Sequence, residues 1–246
     1  MNGFPLADGD PGKGPVIPSF GDQPSCITNR TGHWCWPWIR EHWHDTLWTG
    51  VVQHLELVGI AIGIGFVIAF GAALLAYRFH AFETPIGLLT AFLYTVPSIA
   101  AFEILLPITG ITWTTVLIPL VAYTLLILFR NILAGLRGVP EEALEAARGM
   151  GLTERQMLWR VQLPLALPAI VTGIRIAVVT TISLATIAAY ISPLGLGKPI
   201  LQAIQDSFNT ELIAAGGLTI LLALVADGLL VLAERAITPW QRLGRR

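Results

Sequence analysis

The stretch Pro140-Glu-Glu-Ala-Leu-Glu145-Ala146-Ala147-Arg-Gly-Met-Gly151-Leu-Thr153-Glu-Arg-Gln156-Met-Leu-Trp-Arg-Val-Gln-Leu163-Pro164 separates two long apolar segments. It is charged and helix-prone. Proline suits the first position of a helix, and the carboxylates of Glu141 and Glu142 suit the positive end of its dipole. Residues 143–147 are strong helix formers. Gly149 and Gly151 then interrupt the helix. Thr153 followed by Gln156 has the pattern of a capping box, which predicts a second short helix to about Gln162, closed by Pro164. The unit reads as a helix-turn-helix elbow, polar on one side, with Leu144, Met150, Met157 and Leu158 available for packing. An elbow of this kind between apolar segments is a docking surface outside the apolar layer.

What flanks the elbow sets the fold class. The chain is 54% hydrophobic and 13% charged, with a mean hydropathy of +0.68. Globular domains carry roughly 25% charged residues. The deficit and the apolar runs predict an all-α integral membrane protein with about five transmembrane helices: Leu55–Tyr77, Ile86–Pro107, Thr112–Phe129, Pro168–Ile191 and Leu212–Ala233. Each is near the roughly 20 residues that cross a hydrocarbon core. Small residues in the first span (Gly59, Gly63, Gly65, Gly71) permit close helix packing. Lys and Arg cluster on the elbow's side, so the positive-inside rule puts the elbow in the cytoplasm, the N-terminus outside and the C-terminus inside. The organisation expected is an extracytoplasmic arm (1–54), a membrane-spanning domain (55–233) that carries the elbow at 140–164, and a basic cytoplasmic tail (234–246).

The first 25 residues are rich in Gly, Pro and Asp and read as loop. They lack a charged n-region before an apolar h-region, so no cleaved signal peptide is expected. Trp34, Trp36, Trp38, Trp43 and Trp48 follow, with His33, His42 and His44, and predict an amphipathic segment lying on the bilayer. Cys26 and Cys35 are the only cysteines. Outside the cytoplasm a disulfide between them is one reading. A zinc site with His33 and a further histidine is the other, although the spacing fits no standard ligand pattern, and no metal is assigned.

Residues at membrane depth supply the pathway candidates. Pro97 removes a backbone hydrogen bond in the middle of the second span and bends it. Tyr94, Thr95 and Ser98 stand beside it, positioned to satisfy freed carbonyls. Glu103 lies one turn from the outer end, where it faces water, a partner at the outer surface or a cationic head group. Thr180, Thr181 and Ser183 form a mildly polar stripe on the fourth span. Arg175, in that span's inner half, is expected to snorkel.

Glu145-Ala146-Ala147, Gly151 and Val161-Gln-Leu163-Pro164 resemble the EAA signature of ABC-importer permeases, with that family's spacing. Thr95-Val-Pro97-Ser98, Phe129-Arg-Asn131 with Gly135, Pro164 to Pro168 through Gly173-Ile-Arg175, and Gly195-Leu-Gly197 resemble the glycine betaine/carnitine/choline group of osmoprotectant permeases. Tyr94 stands where that group usually carries glutamine. The resemblance implies a multi-pass permease of a prokaryotic inner membrane, taking glycine betaine, choline, carnitine or a proline-like solute, or another small solute such as an amino acid or a sulfonate. It implies that Glu145, Ala146, Ala147, Gly151, Leu163 and Pro164 couple to an ATPase. It also implies the partners: a second permease chain, identical or homologous, two cytoplasmic ATPases that use ATP and Mg, an extracytoplasmic substrate-binding protein, and membrane lipid. Residues 192–209 and the arm are then the surface for the binding protein.

Other classes fit poorly. The chain has no phosphate-cradling Gly-rich loop with Lys and Ser/Thr, so it binds no cofactor of its own and ATP hydrolysis falls to a partner. All five histidines lie outside the spans or at their edges, which argues against an intramembrane Ser–His enzyme. No filter-like ring motif supports a channel. No basic, aromatic-interleaved patch supports nucleic-acid binding.

Overall fold

The computed structural model describes Cys26 and residues 34–239. Among the described residues every regular element is helical. Helix α1 (Trp36–His42) passes through a π-helical turn (Trp43–Trp48) into α2 (Thr49–Arg78). Helices α3 (Glu83–Thr95) and α4 (Ser98–Thr109) follow, then the long α5 (Trp113–Arg137). The elbow is α6 (Glu141–Gly149) and α7 (Glu154–Met157). A second π turn (Leu158–Gln162) leads into α8 (Leu163–Ile187). The short α9 (Gly197–Gln205) and the long α10 (Asn209–Ile237) follow.

Among the described residues, four helical runs are long and apolar enough to cross a membrane: Trp36–Arg78, Trp113–Arg137, Glu154–Tyr190 and Asn209–Ile237. The pair His80–Thr95 and Ser98–Thr109, bent by 91°, makes a fifth crossing if taken as one span. The bundle therefore has two ends. The arm, the 188–208 segment and the start of α10 meet at one, where Trp38 packs edge-on against Phe208 and the Cys35 amide donates to the Thr210 hydroxyl. The elbow lies at the other.

Helix α5 is the axis, packed between α2 and α8. Near the elbow, Ala69, Ala73 and Ala76 of α2 meet Leu128, Ile132 and Leu136 of α5 and Ala166 and Ile170 of α8. Towards the arm, Leu57, Ala61, Phe102, Val116, Leu120 and Ile182 form a second cluster. Lipid is as apolar as these side chains, so close contact rather than water exclusion holds them. The small residues of α2 divide accordingly. A Cβ on Gly65 would stand 2.0 Å from the Thr124 hydroxyl oxygen, whereas Gly59, Gly63 and Gly71 face open space.

Several expectations change. The first and fifth helices extend past the predicted boundaries at 54 and 233, and the third runs two turns beyond Phe129. The arm is not separate from the first span, because Trp36–Arg78 is one continuous helical run of 43 residues. At roughly 1.5 Å per residue it is about twice as long as the hydrocarbon core is thick. Pro164 does not close the elbow. It falls just after the π turn inside the continuous run Glu154–Tyr190, and that turn widens the backbone where a proline ring would crowd a carbonyl. Pro140 is the N-cap of α6 rather than its first residue. The stretch 1–25, His33 and the tail beyond residue 239 lie outside the described residues.

Candidate functional site

The elbow is built as a sharp turn on a small core. Helix α6 ends at Gly149, and Gly151 takes φ +79°, the left-handed conformation that terminates helices. The Leu152 amide donates to the Ala147 carbonyl at 3.2 Å and the Gly151 amide to the Arg148 carbonyl at 2.9 Å, which satisfies the last carbonyls of α6. The capping box is present at α7: the Thr153 amide donates to Gln156 Oε1 at 2.9 Å, and the Gln156 amide to Thr153 Oγ1 at 3.3 Å. Val139, Leu144, Ala147 and Met157 are buried beneath the turn, with Leu152 and Val161 against them.

The outward face follows from this core. Glu145, Ala146, Gly149 and Gly151 are exposed, and Met150 stands 71% exposed at the tip rather than packing inward as predicted. Arg148 donates to Glu141 at 2.8 Å, and that carboxylate raises the guanidinium pKa above its ordinary value. Glu145 makes no hydrogen bond or ion pair with another described residue. Exposed apolar groups at a tightly hydrogen-bonded turn form a knob suited to a cleft. Leu163 is buried at the root of this unit and Pro164 is half-buried. Beside the root, Tyr77, Arg78, Glu154, Arg155 and Gln162 line a cavity of about 550 Å³, with Gln162 donating to the Tyr77 hydroxyl at 2.9 Å. Bidentate contacts from Arg137 to Glu83 tie α3 to α5 at the same end.

The second candidate is the break between α3 and α4. Val96 and Pro97 are both extended, with ψ of 128° and 134°. A residue before proline disfavours the α region, and proline offers no N–H, so the helix stops and restarts instead of bending smoothly. The predicted satisfaction of the freed carbonyls is corrected. The Val96 carbonyl accepts from the Tyr123 hydroxyl of α5, while Thr95 donates to the carbonyl of Phe92. Tyr94 packs edge-on against Tyr123, with ring centres 5.9 Å apart. Ser98 is half-buried, and Glu103 is exposed on α4.

The polar residues of α8 do not form one stripe. Thr181 is buried and donates to the Ala177 carbonyl. Ser183 is exposed and donates to the Val179 carbonyl. Thr180 lines a cavity of about 430 Å³ with Thr172, Ile176 and Arg175. Arg175 does not snorkel. Its Nε and Nη2 donate to the two carboxylate oxygens of Asp227 at 2.8 and 3.1 Å, and Glu234 stands 3.6 Å away. The pair joins α8 to α10 across 52 positions of sequence. An arginine and a lone aspartate in separate spans were the available signal, since ionisable groups at membrane depth pair with one another.

At the arm end the structure uses a histidine that sequence reasoning set aside. His54 is fully buried. Its Nδ1 accepts from the Leu196 amide at 3.3 Å, so Nε2 carries the proton and donates to the Ile182 carbonyl at 3.0 Å. Gln53 accepts from the Gly195 amide at 3.1 Å. Gly195 has φ +62°, and a Cβ on Gly197 would lie 2.3 Å from the Thr186 carbonyl oxygen. The 195–197 turn is thus strapped between α2 and α8. It presents α9 outward, with Tyr190, Gln202 and Ile204 exposed. Cys26 and Cys35 are joined in a disulfide. Their sulfurs are thereby withdrawn from the alternative zinc site, and His33 lies outside the described residues.

Comparison with known proteins places this arrangement. Residues 48–239 match the model of the family described as binding-protein-dependent transport system inner membrane component. The osmoprotectant import permease protein OsmW of Salmonella typhimurium is 38% identical over 192 residues, covering 76% of this chain and 89% of its own. The choline transport system permease protein OpuBB of Bacillus subtilis is 32% identical, covering 75% and 84%. The glycine betaine/carnitine/choline transport system permease protein OpuCB of the same organism is 31% identical, covering 78% and 87%. Among solved structures, an inward-facing form of the MetNI methionine ABC transporter superposes with a TM-score of 0.70 at 22% identity, covering 81% of this chain and 98% of that one. A fold shared at that identity, a family match across all five crossings and relatives matched over most of their length agree, and the chain belongs to the binding-protein-dependent transport system inner membrane components.

Proposed function

We propose that this chain is the transmembrane permease of an ATP-driven importer for a small osmoprotectant of the glycine betaine, choline or carnitine type. It forms half of the translocation pathway and lies in the cytoplasmic (inner) membrane, with the elbow on the cytoplasmic side and the arm outside. The basic residues support this orientation: Arg78, Arg130, Arg137, Arg148, Arg155, Arg160 and Arg235 lie at the elbow end, against Arg40 and Lys198 at the other. The observation that carries the functional reading is the knob at Met150–Gly151, an exposed apolar tip on a hydrogen-bonded turn. A cleft in a cytoplasmic ATPase receives it. Two ATPases, a second permease chain and an external binding protein complete the importer, and ATP and Mg act on the ATPases.

The geometry supports a definite route for the force. Helix α7, the π turn and α8 form one continuous helical run, Glu154–Tyr190. A push on the elbow therefore reaches the fourth span without an intervening loop. The other arm of the elbow joins α5 through residues 138–140, which absorb the rotation. Closure of the ATPases draws the two elbows together and switches the bundle between two packings. The relatives named for osmoprotectants and choline support the solute class. Uptake by the reconstituted importer tests it, with glycine betaine, choline, carnitine and proline compared. Saturable uptake of at least one quaternary ammonium solute is expected. Transport of amino acids or sulfonates with no response to any quaternary ammonium compound rejects the class and keeps the permease role.

A further inference from the structure

The arm leaves an open groove against α10. Its start is pinned: the Cys26–Cys35 bridge, the Cys35–Thr210 hydrogen bond and the Trp38–Phe208 contact hold α1 to the first turn of α10. Below that clamp a groove opens along one side of the contact. Trp34, Trp36, Trp43, Ala214 and Leu218 line a first section of about 420 Å³, with Arg40 at its rim. Trp43 and Leu218 continue into a second section of about 190 Å³ with Trp48 and Val225. The π turn makes this continuity possible. It closes hydrogen bonds five residues apart, which brings Trp43 and Trp48 to the same face.

We propose that this groove is a binding site for one phospholipid of the outer leaflet, with an acyl chain along α10 and its phosphate on Arg40. Three observations select this occupant. The walls are apolar, and from Ala214 to Val225 they follow α10 for about 16 Å at roughly 1.5 Å per residue. That is about half of the roughly 30 Å hydrocarbon core, the depth of one leaflet's acyl chains. The open end is ringed by Trp34 and Trp36, each about half exposed, as suits the headgroup level of a bilayer. Arg40 makes no ion pair with another described residue, so its guanidinium is available to a phosphate. Tryptophan faces also attract quaternary ammonium groups. The positive charge of Arg40 opposes a cation there, and a small solute leaves the lower section empty.

The site lies along one side of the contact between the arm and α10, beside the packed cluster of Ile39, Leu47 and Ala215. A lipid seated there works as an interchangeable wedge whose chain and headgroup influence how far the two elements part. The test uses the intact importer extracted in mild detergent, with phospholipid retained per permease chain counted by native mass spectrometry. Wild type is expected to hold one phospholipid. Arg40→Gln is expected to lower its occupancy at least tenfold with the disulfide and the assembled complex unchanged, and Ala214→Phe, which fills the first section, to do the same. Absence of retained lipid in the wild type, or retention unchanged by Arg40→Gln, overturns the proposal. Displacement of the lipid by millimolar glycine betaine also overturns it and assigns the groove to the solute.

Discussion

Gly151 and Tyr123 show two ways in which one residue sets this molecule's behaviour. Gly151 was legible: a glycine between an Ala-rich helix and a capping box predicts a turn, and its φ of +79° is one that other residues adopt at a cost of roughly 1–2 kcal/mol. Met150 beside it was misread, because an apolar residue in a short amphipathic unit reads as core, and only the turn's geometry turns it outward. Tyr123 gave a weaker signal, a phenol in an apolar run that needs a partner. That partner, the Val96 carbonyl, exists only because the helix breaks at Pro97, and no local pattern joins the two. Replacing Tyr123 with Phe leaves this carbonyl unpaired, a loss on the order of 1–3 kcal/mol. Thermal unfolding in detergent is expected to fall for Tyr123→Phe and to stay near wild type for Tyr94→Phe. Equal midpoints for the two variants would sink the assigned hydrogen bond.

At the scale of elements, five apolar runs were readable from length and hydropathy, but how they begin, bend and end was not. Proline illustrates the difficulty. Pro97 breaks its helix by 91°, while Pro107, Pro119 and Pro168 sit inside helices and Pro164 begins one. What separates them is whether the residues before each proline can stay helical and whether neighbouring groups take up the freed carbonyls, which is a property of the assembled bundle. The two π turns were likewise invisible, and they convert a presumed surface arm and a presumed closed elbow into extensions of α2 and α8. The tie between α8 and α10 depends on Arg175 and Asp227 together. Arg175→Gln or Asp227→Asn alone strands an ion at membrane depth, so each single variant is expected to transport less well than the double variant. Uptake rates measured at matched expression check this, and a double variant worse than both singles contradicts it.

For the whole molecule, arm and elbow lie at opposite ends of the bundle, and the proposed orientation rests on the charge asymmetry between those ends. The disulfide supplies a direct reading of that topology. Intact cells are expected to show no thiol on this chain until a membrane-impermeant reductant is added, after which Cys26 and Cys35 label with an impermeant reagent. Labelling that needs permeabilised cells reverses the orientation. Solute class was the least legible property, because no contiguous motif carries it and its support comes from the relatives named for osmoprotectants and choline. The central claim concerns force, that a knob at Gly151 on a continuous helix carries ATPase motion into the fourth span. The most direct measurement is ATP hydrolysis by the reconstituted importer carrying Gly151→Asp, with substrate-loaded binding protein present. Insertion and disulfide formation are expected to be intact while stimulation of hydrolysis by substrate is lost; stimulation equal to wild type would contradict the claim.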